Sequence, residues 1–319
     1  MRAATPAAAR FGTAASRTPD LFFRAVTRVL GWAVVGLLAA VAILLVVNGS
    51  QALRTFGPGF ITGTTWDPVA GIYGALPYIV GTLATALIAI LLATPIGILT
   101  AIFLAELAPR RVAIPLTFAV ELLAAIPSVV YGLWGVFVLS PFLKSTVEAW
   151  LVSVLGWIPI FAGPTFGIGL FAAGVILTLM ILPTIVSISR EVITSVPASQ
   201  REAMLALGAT RWETISKAVL PAARSGIIGA VILGLGRALG ETMAVTMVFG
   251  NAGTIPTRLF AQGQTIASQI ATTFNEAAVG LQTSALIALG LILLVITVGL
   301  NVIARLLVRR VAGAGGQGA

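Results

Sequence analysis

Apolar and polar positions along this chain separate into long blocks rather than alternating. Stretches at about 29–47, 69–105, 113–139, 166–188, 225–249 and 277–304 carry at most two charged residues each. Roughly 20 apolar residues in a helix cross a hydrocarbon core about 30 Å thick. The pattern therefore predicts an all-α integral membrane protein with six transmembrane helices. Between the first two runs, 48–72 holds Gly57-Pro58-Gly59, Trp66 and Asp67-Pro68 and reads as an irregular loop with an interfacial aromatic. The segment 141–164, with Lys144, Glu148, Trp150 and Trp157, reads as a short helix lying in the interface. Pro77, Pro95 and Pro183 fall within runs, where neighbouring helices satisfy the carbonyls that proline leaves free.

Composition agrees with this division. Of 319 residues, 58% are hydrophobic and 9% charged, far fewer charges than a soluble domain exposes. The chain has neither cysteine nor histidine, which excludes a disulfide framework, a thiolate or imidazole metal site, and Cys–His or Ser–His–Asp catalysis. No cofactor, metal or catalytic residue is expected. The net charge of +9 is spread over the short segments between apolar runs, so it reads as a topology signal and not as a nucleic-acid surface.

Six spans place both termini on one side. That side carries Arg2, Arg10, Arg17, Arg24 and Arg28 before the first span. The second and fourth connections add Arg110, Arg111, Arg190, Arg201, Arg211, Lys217 and Arg224, and Arg305, Arg309 and Arg310 follow the last span. The opposite side carries Arg54, Lys144 and Arg258. By the positive-inside rule the basic side is cytoplasmic, with both termini there. Residues 1–28 read as a basic cytoplasmic tail, disordered at 1–20, 29–310 as the six-helix domain and 311–319 as a flexible tail.

Within the fifth run, Arg237 and Glu241 are the only charges between Arg224 and Arg258. If a helix enters the membrane at Ser225, Arg237 lies about 18 Å along it, near mid-membrane. An isolated charge there costs at least about 2.5–3.5 kcal/mol. The i, i+4 spacing would put both charges on one helical face, with Gly236-x-x-x-Gly240 one step round, open to a close neighbour. Two readings stay open: a neutral pair that holds the bundle together, or a site on a substrate path. A guanidinium stays charged and offers a planar fork to oxyanions, so an anion passing here could displace the carboxylate. Glu121 in the third run, ten residues from Arg111, reads as an interfacial or inter-helix residue.

Residues 195–221 change from apolar run to amphipathic pattern. Ser199-x-x-Glu202 and Thr210-x-x-Glu213 fit capping boxes, and Gly208 stands where a helix would stop. Two short helices meeting at a tight turn are predicted. Met204, Leu205 and Leu207 would either pack on the chain's own bundle or fill a partner's groove.

Glu202-Ala203-Met204, Gly208 and Leu220-Pro221 resemble the EAA loop of ABC importer permeases, in which the triplet, the glycine and the Leu-Pro pair stand at these spacings. Met204 and Ala218 depart from the pattern's third alanine and its isoleucine. Gly236-Arg-Ala-Leu-Gly-Glu-Thr-Met-Ala-Val is similar to PstC-type permeases of the phosphate-specific ABC importer. So are Gly81-Thr82-Leu83, Ala93-Thr94-Pro95-Ile96-Gly97 and Ala125-Ile126-Pro127-Ser128-Val129-Val130-Tyr131-Gly132.

The resemblance implies an ABC importer permease bundle with cytoplasmic coupling helices, multi-pass in the bacterial inner membrane. It implies a substrate path at Arg237, Glu241, Ser128 and Tyr131, and ATPase coupling through Glu202, Ala203, Gly208, Leu220 and Pro221. It further implies a sister PstA-type permease, two PstB-type ATP-binding subunits, a periplasmic PstS-type phosphate-binding protein, inorganic phosphate and surrounding lipid as partners. The chain contains no G-x-x-x-x-G-K-[ST] loop, so ATP would be hydrolysed on other subunits. An ion-coupled secondary anion carrier, a permease for a related oxyanion and a purely structural membrane subunit are the alternatives.

Overall fold

The structure, a computed structural model, describes residues 17–313, with side chains between 22 and 306. The expected tail at 1–28 lies partly outside these residues, as does most of 311–319. The first helix begins at Arg17 and the last continues to Gly313, so 17–28 and 311–313 are helical rather than irregular.

Among the described residues, six helices are long and apolar enough to cross a membrane: Phe22–Phe56, Leu76–Leu107, Ser128–Leu155, Leu170–Thr194, Arg211–Gly240 and Leu281–Leu306. The chain divides into two units, one up to Val47 and one from Asn48 onward. The described part of the first unit is a single helix, apolar on every side from Val29 onward, with Leu30, Trp32, Val34 and Leu37 all exposed. In lipid such exposure needs no protein cover, because acyl chains are as apolar as leucine.

In the second unit the fourth span is the central post. Its Ile176, Leu177, Ile181 and Ile185 are buried against the second span, whose facing positions are Ala86, Ala89 and Ala93. Small residues let the two backbones approach, and dispersion at close range replaces the hydrophobic drive that is missing inside a bilayer. Gly174 packs against Ile88, and Gly97 against Ile185. A second apolar cluster joins Ala52, Phe60, Tyr78 and Ile266 to Ala285, Leu286, Ala288 and Leu289 of the sixth span. Here the Ser284 hydroxyl donates to the Asn48 carbonyl at 2.7 Å and accepts from the Ala52 amide at 3.1 Å. One side chain thus bridges both ends of one rung of the first helix.

Several expectations change. The expected loop at 48–72 is ordered: the first helix continues to Phe56, a turn of helix covers Gly59–Thr62, and strands β1 (Trp66–Asp67) and β2 (Ile72–Tyr73) pair antiparallel. Trp66 stacks edge-on against Tyr73 and Tyr78 at 4.9 and 5.5 Å. It therefore packs within the protein.

The third apolar run is not one span. A helix over Arg110–Ala125 stops at Ile126, which is extended at ψ 128° ahead of Pro127. A proline disfavours helical geometry in the residue before it. A new helix begins at Ser128 and runs to Leu155 through π turns at Gly135–Leu139 and Leu143–Glu148. The third span therefore takes in most of the segment expected to lie in the interface. Hydropathy is continuous across the break and does not reveal it.

Gly81 lies where the second span meets the loop carrying Gln264. A Cβ there would run into the Gln264 carbonyl and lie 3.2 Å from the Phe249 ring. Gly81→Ala is expected to destabilise the detergent-solubilised protein by about 1–3 kcal/mol, read as a lower melting temperature. Gly229→Ala, which faces open space, is the control expected to show no such loss.

Candidate translocation site and coupling loop

The fifth span ends at Gly240, earlier than the apolar run suggests. Glu241 is extended, at φ −69° and ψ 131°, and a short helix resumes over Met243–Val248. The Glu241 carboxylate accepts a hydrogen bond from the Ala244 amide at 3.2 Å, so it serves the first turn of the resumed helix. The expected i, i+4 face shared by Arg237 and Glu241 does not form. Among the described residues, ion pairs join Arg201 to Glu106 and Lys217 to Glu213, and none joins Arg237 to Glu241. A backbone break between the two charges is the physical reason, because the shared face requires continuous helix.

Arg237 is exposed on the surface of the chain, and its Nη1 donates to the Thr184 hydroxyl of the fourth span at 3.4 Å. This contact is long for a hydrogen bond and leaves most of the guanidinium fork open. Thr184 follows Pro183, and a proline beside a hydroxyl inside an apolar run was the available signal for this partner. Gly236 and Gly240 have open space around them within the chain, whereas Gly234 packs on Ile185 and Ile181.

Tyr131 and Ser128 stand on the helix that begins after the Pro127 break. Tyr131 is buried, and its hydroxyl donates to the Leu123 carbonyl at 2.8 Å, across that break. Its neighbour Gly132 lies beside Met247 and Ala244 of the resumed helix. Two broken helices therefore meet, and Arg237 stands in the last turn before one of the breaks. Ser128 is half-buried in the first turn, and the Tyr131 hydroxyl is already engaged with backbone.

The coupling-loop residues form a second group. A helix over Ala198–Ala206 carries Glu202 and Ala203, both exposed, and ends in a turn at Gly208 with φ +84°, a left-handed conformation suited to glycine. Leu207 is 85% exposed, and Leu205 and Trp212 are exposed as well. These side chains stay off the chain's own core and are open to a partner. Thr210 and Glu213 form the expected capping box, with bonds of 3.3 and 3.0 Å. Ser199 does not cap: the first helix is preceded by Pro197, and no side-chain cap bond forms. Leu220 and Pro221 stand where a π turn over Ile215–Val219 becomes the fifth helix.

The family described as "Binding-protein-dependent transport system inner membrane component" matches residues 93–313. A relative from Mesorhizobium japonicum, named phosphate transport system permease protein PstC, is 50% identical over 296 residues, covering 92% of this chain and 90% of its own. The chain belongs to the PstC-type permeases. A second relative of the same name, from Pasteurella multocida, is 47% identical with 92% of each chain covered. Among solved structures, a bacterial alginate ABC transporter in complex with its alginate-bound periplasmic protein aligns at a TM-score of 0.60. It shares 17% identity and covers 93% of this chain and 96% of its own. The MetNI methionine ABC transporter aligns at 0.52 and 20% identity, over 72% and 93%. Both likenesses concern the fold alone. The permease is a multi-pass inner-membrane protein and a subunit of an ABC importer, and does not itself catalyse a reaction.

In the permease, Thr210→Ala is expected to raise amide exchange at Glu213 about fivefold through loss of the cap. Ser199→Ala is expected to leave exchange in its helix unchanged. Hydrogen-exchange mass spectrometry in detergent reads both.

Proposed function

We propose that this permease forms half of a transmembrane path for inorganic phosphate in an ATP-driven importer, with Arg237 as the cation that receives the anion. The observation that carries the reading is the placement of Arg237. It is a permanent cation far from the ends of an apolar run, turned to the surface of its own chain, with one long contact to Thr184 and no ion pair to Glu241. An unpaired charge facing acyl chains would be costly. A water-filled path shared with a sister subunit removes that cost. The names of the relatives supply the identity of the anion.

In this reading phosphate meets the free fork of Arg237 through charge-assisted, bidentate hydrogen bonds. Glu241 and Tyr131 hold the two helix breaks beside it, and Ser128 stands at the first turn of the helix that follows one of them. The breaks allow the helices flanking Arg237 to change position without unwinding the spans, which suits a path alternating between outward and inward access. The carboxylate of Glu241 keeps the local field from becoming so positive that the anion is trapped. Exposed Leu205, Leu207 and Trp212, with Glu202 and Ala203 between the spans, dock on the ATP-hydrolysing subunits. Gly208 sets the turn, and Leu220 and Pro221 lead the movement into the fifth span. A sister permease, two ATPase subunits and a periplasmic phosphate-binding protein complete the assembly, and both termini are cytoplasmic.

Arg237→Gln is expected to abolish phosphate uptake and phosphate-stimulated ATP hydrolysis in proteoliposomes containing the full complex, with assembly intact. Equal activity at equal assembly would remove Arg237 from the path and return it to a structural role. Orientation is tested separately, because the chain has no native cysteine. Ser199→Cys is expected to react with a membrane-impermeant maleimide only in inside-out vesicles, and Val69→Cys only in right-side-out ones.

A further inference from the structure

Arg201 is the most heavily engaged side chain outside the proposed path. Its Nε donates to both Glu106 oxygens, at 3.1 and 3.3 Å, and its Nη2 to Glu106 Oε1 at 2.6 Å. The same Nη2 reaches the Ile193 carbonyl at 2.8 Å, and Nη1 donates to the Val196 carbonyl. Three elements meet at one guanidinium. Glu106 stands in the π turn Phe103–Leu107 that ends the second span. Ile193 lies in the last turn of the fourth span, and Val196 follows just beyond its end. Arg201 itself belongs to the helix Ala198–Ala206 between the spans. The Ile193 carbonyl, which also accepts from the Val196 amide at 3.3 Å, and the Val196 carbonyl stand at a helix C-terminus, where a cation is favoured.

The contrast with apolar packing gives this contact its weight. The ends of the second, fourth and fifth spans share a buried cluster that includes Ala101, Ile102, Ile193, Ile215, Val219 and Ala223. No residue of the helix Ala198–Ala206 is buried. Apolar packing therefore fixes the spans to one another but does not fix this helix to them. The Arg201 side chain is 22% exposed and that of Glu106 13%, so the pair is partly desolvated and held in a planar, two-oxygen geometry that a flexible surface pair would not keep.

Resting on the functional reading above, we propose that Arg201 is a positioning residue for transport. It is a rigid strut that makes the coupling helix, the end of the second span and the end of the fourth move as one body. Motion imposed on the exposed Glu202–Leu207 face then reaches the post on which Thr184 and Arg237 meet. Without the strut, the coupling helix yields while the spans stay in place, and ATP is hydrolysed without a matching passage of phosphate.

The test measures phosphate moved per ATP hydrolysed in proteoliposomes holding the complete complex, for wild type, Glu106→Gln and Arg201→Lys. Both variants are expected to lower the ratio by about fivefold or more, the lower end of coupling free energies between linked sites. A merely structural role would reduce the amount of assembled complex without changing the ratio per complex. An unchanged ratio in both variants overturns the strut.

Should either variant fail to assemble, a spin-label distance between Leu107→Cys and Gln200→Cys, in the otherwise cysteine-free chain with Arg201 and Glu106 intact, decides the matter. The strut requires the same distance in nucleotide-free and ATP-trapped complexes; a distance that lengthens with ATP overturns it. This arm needs no phosphate. A wild-type complex that fails to move phosphate would count against the functional reading, while the label distance still judges the strut.

Discussion

Inside a bilayer no water is available to satisfy a backbone group that leaves its helical ladder, and each such group left alone costs several kcal/mol. Every departure from regular helix in this permease has to be read against that constraint. At the Ile126–Pro127 break the Tyr131 hydroxyl takes the Leu123 carbonyl. At the Glu241 break the carboxylate takes the Ala244 amide. At the end of the fourth span Arg201 takes the carbonyls of Ile193 and Val196. Beside the first helix Ser284 engages both Asn48 and Ala52. At the two breaks polar side chains thus add a partner to backbone at the helix ends, the Leu123 carbonyl also accepting from the Ile126 amide at 3.4 Å.

Those breaks stand beside the packed pair formed by the second and fourth spans. The second and fourth spans interlock through alanines and glycines on one side and large aliphatic side chains on the other. Close-packed interfaces of this kind repack between discrete arrangements and do not deform continuously. The resumed helices beyond Pro127 and Glu241 stand against that post. Thr184 on that post accepts the long hydrogen bond from Arg237 of the fifth span.

A single chain leaves two kinds of surface uncovered. Arg237 is turned outward, where acyl chains would not favour a charge, and Leu205, Leu207 and Trp212 are exposed, which an aqueous surface would not favour without a partner. The two kinds of exposure differ in chemistry, one cationic within the spans and one apolar beside a capped turn. In the function proposed above they correspond to the anion and to the driving subunit.

The amino-acid pattern alone determined the class, the number of spans, the capped turn at Thr210–Glu213, the stop at Gly208 and the identity of Arg237 as the residue to explain. These are local or one-dimensional properties: apolar run length, a four-residue cap, a glycine at a helix end, a charge within an uncharged stretch. Where the runs break was decided only in three dimensions. Hydropathy is apolar on both sides of Pro127 and of Gly240-Glu241, so the third span reads one element too early and Arg237 and Glu241 read as sharing a helical face, although the helix ends at Gly240. The partners of the charges were equally out of reach. Arg201 and Glu106 are 95 positions apart, and Arg237 and Thr184 are 53. No periodicity links residues on different helices: only the packing of one span on another sets which side chain can reach which.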